Sequence, residues 1–387
     1  MSRRTLSLRP RRPRRPDASG RHLAGTGGTG ARARPAREHQ PREGPMHSAT
    51  KQQLGLAEIR AVVAASCAPG TEVTEVEELT GGTFNAAYRL TLGPSGRTAV
   101  LKISPPPATP LLTYEHGLMR TETEFYRLIA TRTEVTVPEV IAADFDRRLV
   151  DGDYLLMSHL PGAGWDRARP GLSDADQARL RRDLGELTAR LRAVRGTGFG
   201  YPQHGLLPGW RAAFDRMLDD VLADAARYAV PLPVEPGQLL ALVRERAWLL
   251  DAVTVPSLVH FDLWEGNVLL TEEAGRPAIS GVIDGERAFW GDPLADLVSP
   301  SLFGDIAADA DFLAGYRSVV GADFEITAEA AGRIDLYRIY LDLIMLVEAT
   351  PRGYDPAGHE PFAELVRADL RAALERLRAV PVAPPAD

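Results

Sequence analysis

The segment Val259-His260-Phe261-Asp262-Leu263-Trp264-Glu265-Gly266-Asn267-Val268-Leu269-Leu270 constrains this chain more than any other. Its H-x-D-x-x-x-x-N spacing is bracketed on both sides by apolar, β-type residues, so the polar positions belong to a loop held between two buried strands. Transfer of a phosphoryl group to a hydroxyl needs an acceptor for the hydroxyl proton and oxygen ligands for magnesium. The spacing allows one loop to supply both, with Asp262 facing the nucleophile and Asn267 facing the metal. His260 is expected to brace the loop rather than to transfer protons.

Two further features suit the same chemistry. Val282-Ile283-Asp284-Gly285 reads as a buried strand ending in a carboxylate and a glycine, where a second magnesium ligand, Asp284, would sit. Upstream, Ala99-Val100-Leu101-Lys102-Ile103 places a lysine inside an apolar strand. An edge-strand lysine snorkelling to water would show the same local pattern. The composition sharpens the choice, because Lys51 and Lys102 are the only lysines among 45 basic residues. A compact ammonium and a planar guanidinium are not interchangeable at a tight site, so a lysine kept in an arginine-biased chain points to a position that arginine cannot fill. Lys102 is expected to contact the α- and β-phosphates and to be held by a helix glutamate, Glu122 or Glu124. Glu122 is preferred, because Phe125, Tyr126 and Ile129 follow it at three, four and seven positions and mark the buried helix face beside it.

The rest of the chain falls into a strand-rich part and a helical part. A helical pattern from Leu54 ends at Pro69-Gly70, and strands are expected over Val73–Leu79, Ala86–Leu92, Thr98–Ile103 and Tyr154–Met157. The turn 80–85 carries Thr83 and Asn85, whose side chains and backbone N–H groups could cradle phosphate. Helices are expected over about 114–130, 173–194, 209–228, 235–251, 305–318, 327–349 and 359–379. The architecture is therefore α+β and bilobal, with a sheet-bearing N-terminal lobe over 46–160 and a helical lobe over 161–380.

Together, His260 to Asn267, Ile283-Asp284-Gly285 and Gly291-Asp292-Pro293 resemble the signature motifs of the aminoglycoside phosphotransferase family, over about residues 75 to 350. The resemblance implies a protein-kinase-like fold, ATP and Mg2+ as cofactors, and a small-molecule hydroxyl as acceptor. It casts Asp262 as catalytic base and Asn267 and Asp284 as metal ligands. Lys102, Glu122, Thr83 and Asn85 are cast as nucleotide-phosphate residues. Leu155 to Gly162 resembles the family's hinge, which assigns the backbone of Ser158 and Leu160 to the adenine. The run Asp262-Leu263-Trp264 is similar to the related fructosamine kinases, so ketosamines and other amino alcohols stand beside aminoglycosides and other antibiotics as acceptors. Phe261 occupies a position where the family has glycine, and a ring there is expected to crowd the acceptor side. The phosphate-covering turn has only Gly81-Gly82 in place of a full glycine-rich loop.

Residues 1–45 form a separate unit, with 12 arginines against three acidic residues, a charge of +9, while the remainder carries −16. Such a Pro- and Arg-rich stretch is expected to be disordered and inert. Nucleic-acid binding through it, which salt-dependent DNA binding would reveal, and a role as a targeting peptide are the rival readings. A nucleotide-binding module without turnover is a further rival. It is disfavoured because Lys102, Asp262, Asn267 and Asp284 are all present. No apolar run reaches the roughly 18 residues that span a bilayer, and the N-terminus lacks a secretory apolar core, so a cytoplasmic setting without membrane partners is expected. The single Cys67 is expected to be a buried thiol.

Overall fold

The computed structural model describes residues 50–382; the expectation for residues 1–45 lies outside them. Helix α1 (Leu56–Ser66) leads into strands β1 (Glu72–Glu78), β2 (Ala86–Gly93) and β3 (Arg97–Ile103). Helix α2 (Leu118–Arg132) follows, then strands β4 (Val140–Asp144) and β5 (Tyr154–Ser158). The five strands form one antiparallel sheet in the order β1-β2-β3-β5-β4. Period-2 patterning decides what each face meets. Ala86, Tyr88, Leu90 and Leu92 of β2 and Ala99, Leu101 and Ile103 of β3 turn to α1, against Ile59, Val62 and Val63. Val100 points the other way, into the core shared with Leu118, Phe125 and Ile129 of α2. Lys102 follows Val100 by two residues and lies on that second face. Because β3 is the central strand, Lys102 has no edge from which to reach water. Cys67 is half-buried rather than buried.

The second lobe is built largely of helices. A short strand, β6 (Ala163–Gly164), and a one-turn helix, α3 (Trp165–Ala168), precede α4 (Asp174–Leu191), α5 (Trp210–Arg227) and α6 (Pro236–Arg246). Ser173 caps α4 by accepting the N–H of Asp176. Strands β7 (Ser257–Val259), β8 (Val268–Glu273), β9 (Arg276–Val282) and β10 (Phe289–Gly291) come next, and helices α7 (Ala310–Val320), α8 (Ala328–Val347) and α9 (Pro356–Ala379) complete the lobe. Helix α7 begins later than the pattern suggests, because Asp309 caps it through the N–H of Phe312 while residues 306–308 form a separate 3-10 turn. Among the described residues no helix is long and apolar enough to cross a membrane.

Helix α8 is the axis of this lobe, with 16 of its 20 residues buried. Its polar residues mostly find partners: Asp335 accepts from Arg376 at 2.7 Å, and Arg338 donates to Asp369 at 2.8 Å. Asp342 is the exception. It is fully buried, and among the described residues neither of its carboxylate oxygens has a hydrogen-bond partner. Burial holds its pKa well above the usual carboxylate range, with Asp369 adding to the rise and Arg338 and Arg376 opposing it. A carboxyl whose folded pKa is raised favours the native state below the unfolded pKa, and that contribution fades as pH climbs through the folded value. Asp342→Asn, which cannot ionise, should therefore have a thermal midpoint that gains on wild type as pH rises from 4 to 8. A difference in midpoint that stays constant over that range would contradict the assignment.

Candidate active site

Two nested strand pairings bring the site together. Strand β7 pairs with β10 and β8 pairs with β9, so the loops 260–267 and 283–288 emerge side by side. They are stitched by the Ile283 N–H donating to the Asn267 carbonyl at 3.0 Å, and by His260 Nε2 lying 3.0 Å from the Ile283 carbonyl. His260 Nδ1 accepts the N–H of Asp262 at 3.2 Å. Those two contacts define a neutral tautomer with the proton on Nε2. Burial, the largest influence, pushes the pKa of His260 down to about 4. The ring stands edge-on to Phe125, with centroids 5.1 Å apart. His260 is thus a brace between the two loops.

The start of the first loop is fastened from below by Asp296. Its carboxylate accepts the N–H of His260 at 2.9 Å and that of Phe261 at 2.7 Å. Burial raises Asp296 to about 7, and the two N–H donors oppose that rise. Phe261 itself has a left-handed backbone, with φ at 67°. That conformation aims its ring into the core, fully buried, against Phe289 at 5.0 Å and Tyr340 at 5.8 Å. The expected crowding of the acceptor side does not occur. A glycine at this position would meet the same backbone demand without strain, and here a buried aromatic contact offsets that strain.

Lys102 is the hub of the charged residues. Its Nζ lies 2.8 Å from each carboxylate oxygen of Glu122 and 2.6 Å from Asp284 Oδ1. Glu124 is exposed on the far side of α2. Burial pulls the Lys102 pKa down, but Asp284, Glu122 and Glu286 more than reverse it, and the group stays charged well above the ordinary lysine range. Tyr126 completes the cluster by donating to Glu122 at 2.7 Å and accepting the Asp284 N–H at 3.0 Å. Gly285 makes this approach possible, because a Cβ there would fall 2.3 Å from the Phe125 ring of α2.

Asp262 and Asn267 lie on the adjoining loop. The Asn267 amide donates to the Asp262 carbonyl at 2.9 Å, which leaves its side-chain oxygen free of that bond. The Asp262 side chain is 24% exposed, and its Oδ2 lies 3.9 Å from Arg287 Nε. Burial raises its pKa, Arg287 pulls against that, and Asp284 and Glu348 add to it.

The remaining candidates are spread around this centre. Thr83 Oγ1 accepts from Tyr354 at 2.8 Å and from Arg352 at 3.4 Å. Asn85 Nδ2 donates to Glu286 at 2.5 Å, while its Oδ1 is buried and has no hydrogen-bond partner among the described residues. The N–H of Ser158 donates to the Glu139 carbonyl at 2.8 Å. The return bond does not reach the Ser158 carbonyl, because the Glu139 N–H goes to the Ser158 hydroxyl at 2.8 Å. Leu160 is half-buried and leans over Gly281 of β9.

Four residues at this site were missed by the sequence reading: Glu286, Arg287, Glu348 and Arg352. Glu286 carries a pKa raised to about 7 by burial, opposed by Lys102 and reinforced by Glu122 and Asp284. The available signal for the first two was adjacent to Asp284: a charged pair, Glu286-Arg287, directly followed by the apolar run Ala288-Phe289-Trp290.

Comparison with known proteins gives the family and the fold that carry these residues. A family model described as "Phosphotransferase enzyme family" matches residues 75–330. A Staphylococcus aureus (strain NCTC 8325 / PS 47) protein named "Probable ketoamine kinase" is 25% identical over 314 residues, covering 75% of this chain and 93% of the relative. Among solved structures, a thermostable mutant of aminoglycoside phosphotransferase APH(4)-Ia, in ternary complex with AMP-PNP and hygromycin B, superposes with a TM-score of 0.55. It is 19% identical and covers 82% of this chain and 98% of that one. A macrolide 2′-phosphotransferase from Brachybacterium faecium superposes with a TM-score of 0.51 at 19% identity, covering 80% and 98%. These structural likenesses establish the two-lobed kinase-like fold.

The geometry around Phe261 makes a stability prediction. Phe261→Gly relieves a left-handed conformation costing about 1–2 kcal/mol but deletes a buried ring worth about 3–5 kcal/mol, so a net loss of roughly 1–4 kcal/mol is expected. Chemical denaturation should show a lower midpoint. A midpoint at or above wild type would mean that strain outweighs packing at this position.

Proposed function

The chain belongs to the phosphotransferase enzyme family, and from that premise we propose that it is an ATP- and Mg2+-dependent kinase acting on a hydroxyl of a small amine-bearing molecule. The observation that carries this reading is the convergence of Lys102, Glu122 and Asp284 beside the loop that holds Asp262 and Asn267. In this reading Lys102, clamped by Glu122, meets the α- and β-phosphates as a point charge. Thr83 and Asn85 line the phosphates from the covering turn. The Ser158 carbonyl and the Leu160 backbone take the adenine edge, a role supported by the diversion of the Glu139 N–H to the Ser158 hydroxyl.

The residues present fit a magnesium site. Asn267 offers an amide oxygen not used in its bond to Asp262, and Asp284 offers the carboxylate oxygen that Lys102 leaves unengaged. Among the described residues no group of three or more His, Cys, Asp or Glu is arranged to hold a metal. An ion at Asn267 and Asp284 would therefore draw its remaining oxygens from phosphate and water, as Mg2+ commonly does in kinases. When bound, the ion supplies charge neutralisation at the phosphates. Asp262 orients the acceptor hydroxyl and takes its proton as the new bond to the γ-phosphorus forms and the bond from that phosphorus to the β-phosphate oxygen breaks, releasing ADP. Most of the acceleration in this scheme comes from positioning and preorganised charge.

For the acceptor, ketoamines come first, because the relative bearing that name is matched over nearly its whole length. Aminoglycosides, the acceptor class of the family the motifs resemble, come second. ATP consumption measured across ketoamines, aminoglycosides, peptide antibiotics and amino alcohols should rise above the acceptor-free rate for at least one of them, ketoamines first. Asp262→Asn should lower turnover by roughly 10²–10⁴-fold, the usual worth of general base catalysis. Its affinity for Mg-ATP should change little. A variant that keeps near-wild-type kcat would overturn the base assignment, and a protein that neither binds nor consumes ATP would overturn the kinase reading.

A further inference from the structure

The phosphate-covering turn and the Asp262 loop come from opposite lobes, yet a buried chain of charges joins them. Arg287 donates to Glu348 Oε2 at 2.9 Å, and Arg352 lies 2.9 Å from the same oxygen. Arg352 also donates to Glu115 Oε1 at 2.6 Å and reaches Thr83 Oγ1 at 3.4 Å, next to the 2.8 Å bond from the Tyr354 hydroxyl. At the other end, Arg287 Nε faces Asp262 Oδ2 at 3.9 Å. Glu115, Arg287, Glu348 and Arg352 are all at most 9% exposed.

Three features set this chain apart from ordinary structural ion pairs. Glu348 is shared, so neither arginine can leave it without leaving the carboxylate half-neutralised in a dry environment. The chain ends on the turn that covers phosphate at one side and on the proposed base at the other. The turn is further gripped at that end: the Arg352 guanidinium lies 5.1 Å from the centre of the Phe84 ring, and the Thr50 hydroxyl donates to the carbonyls of Thr83 and Phe84 at 2.9 and 3.0 Å. Two arginines face three carboxylates (Glu115, Glu348 and Asp262), so the chain has one formal negative charge in excess.

We propose that Arg287 and Arg352, bridged by Glu348, are positioning residues that couple the seating of the phosphate-covering turn to the orientation of the Asp262 carboxylate. The proposal rests on the reading of Asp262 as the base. In this scheme the Arg287 guanidinium holds one Asp262 oxygen and leaves the other toward the acceptor. Arg287 keeps that pose only while Glu348 is held by Arg352, and Arg352 is held in turn by the turn residue Thr83 and by Glu115. A disturbance at Thr83 is thereby felt at Asp262, and nucleotide seating is linked to a competent base.

The decisive variants are Tyr354→Phe, which removes the hydroxyl that donates to Thr83 and accepts from Arg352 at 3.3 Å, and Arg287→Lys, which keeps the charge but loses the guanidinium fork. Both, and the double variant, should be assayed for kcat, for the KM of ATP, and for thermal midpoint, with Asp262→Asn run in parallel. Arg287→Lys should lower kcat by roughly 10–100-fold, the scale of a misplacement near 1 Å. Tyr354→Phe should lower kcat several-fold as well as raise the KM of ATP, although its oxygen touches the covering turn and not the base. The double variant should lose less than the product of the single losses, since both act through one chain. The proposal is overturned if Tyr354→Phe moves only the KM of ATP, or if it lowers kcat and its effect multiplies in full with that of Arg287→Lys. If Arg287→Lys does not fold, the kcat of Tyr354→Phe decides alone. Should Asp262→Asn retain turnover, the base assignment itself fails. A dead Asp262→Asn beside an unchanged Arg287→Lys rejects the coupling only.

Discussion

The structure depends on a buried ammonium. Lys102 sits on the central strand of the sheet, 6% exposed, where a lone charge would be costly to hold. It is stable there because two carboxylates come to it, Glu122 from α2 and Asp284 from the loop after β9, at 2.6–2.8 Å. Each partner has its own support: Tyr126 bonds both, and Gly285 lets α2 close onto the loop. Replacing such a cluster with apolar residues often preserves stability, so its retention argues for use rather than for stability. The cluster also joins elements from both lobes, which places it at the cleft a nucleotide would enter.

From that hub the remaining geometry follows by strand pairing. The β7–β10 and β8–β9 ladders set two loops in parallel, and His260 and Asp296 tie them at the base. Phe261 shows how a local rule yields to a tertiary one. Its left-handed backbone is unfavourable for a bulky residue, yet it directs the ring among Phe289 and Tyr340 and keeps it off the acceptor side. The buried chain through Arg287, Glu348 and Arg352 then extends the charge network from the loops to the covering turn.

Much of this was legible beforehand, for physical reasons. Local order shows in local sequence: the apolar brackets around His260–Asn267 and the run before Asp284 announce strand-loop-strand units. The buried face marked by Phe125, Tyr126 and Ile129 points to Glu122. Strand β4 was not anticipated, because Val140–Asp144 is short, half-buried along its length and follows a proline, so it lacks the alternation that marks a strand. The expectation about Phe261 failed because a residue's φ angle leaves no trace in its type. The charge chain could not be read at all, since Thr83 and Arg352 lie 269 residues apart and meet only in the fold.

At the centre stands the metal-dependent nucleotide site proposed at Asp284 and Asn267, beside Lys102. Titrating ATP into wild-type protein and into Asp284→Ala, each at several Mg2+ concentrations and without acceptor, tests it most directly. ATP affinity is expected to rise with Mg2+ in the wild type, and the variant to lose this dependence, because a carboxylate is the main charged ligand available to the ion. An Asp284→Ala protein that keeps the wild-type dependence on Mg2+ would contradict this assignment.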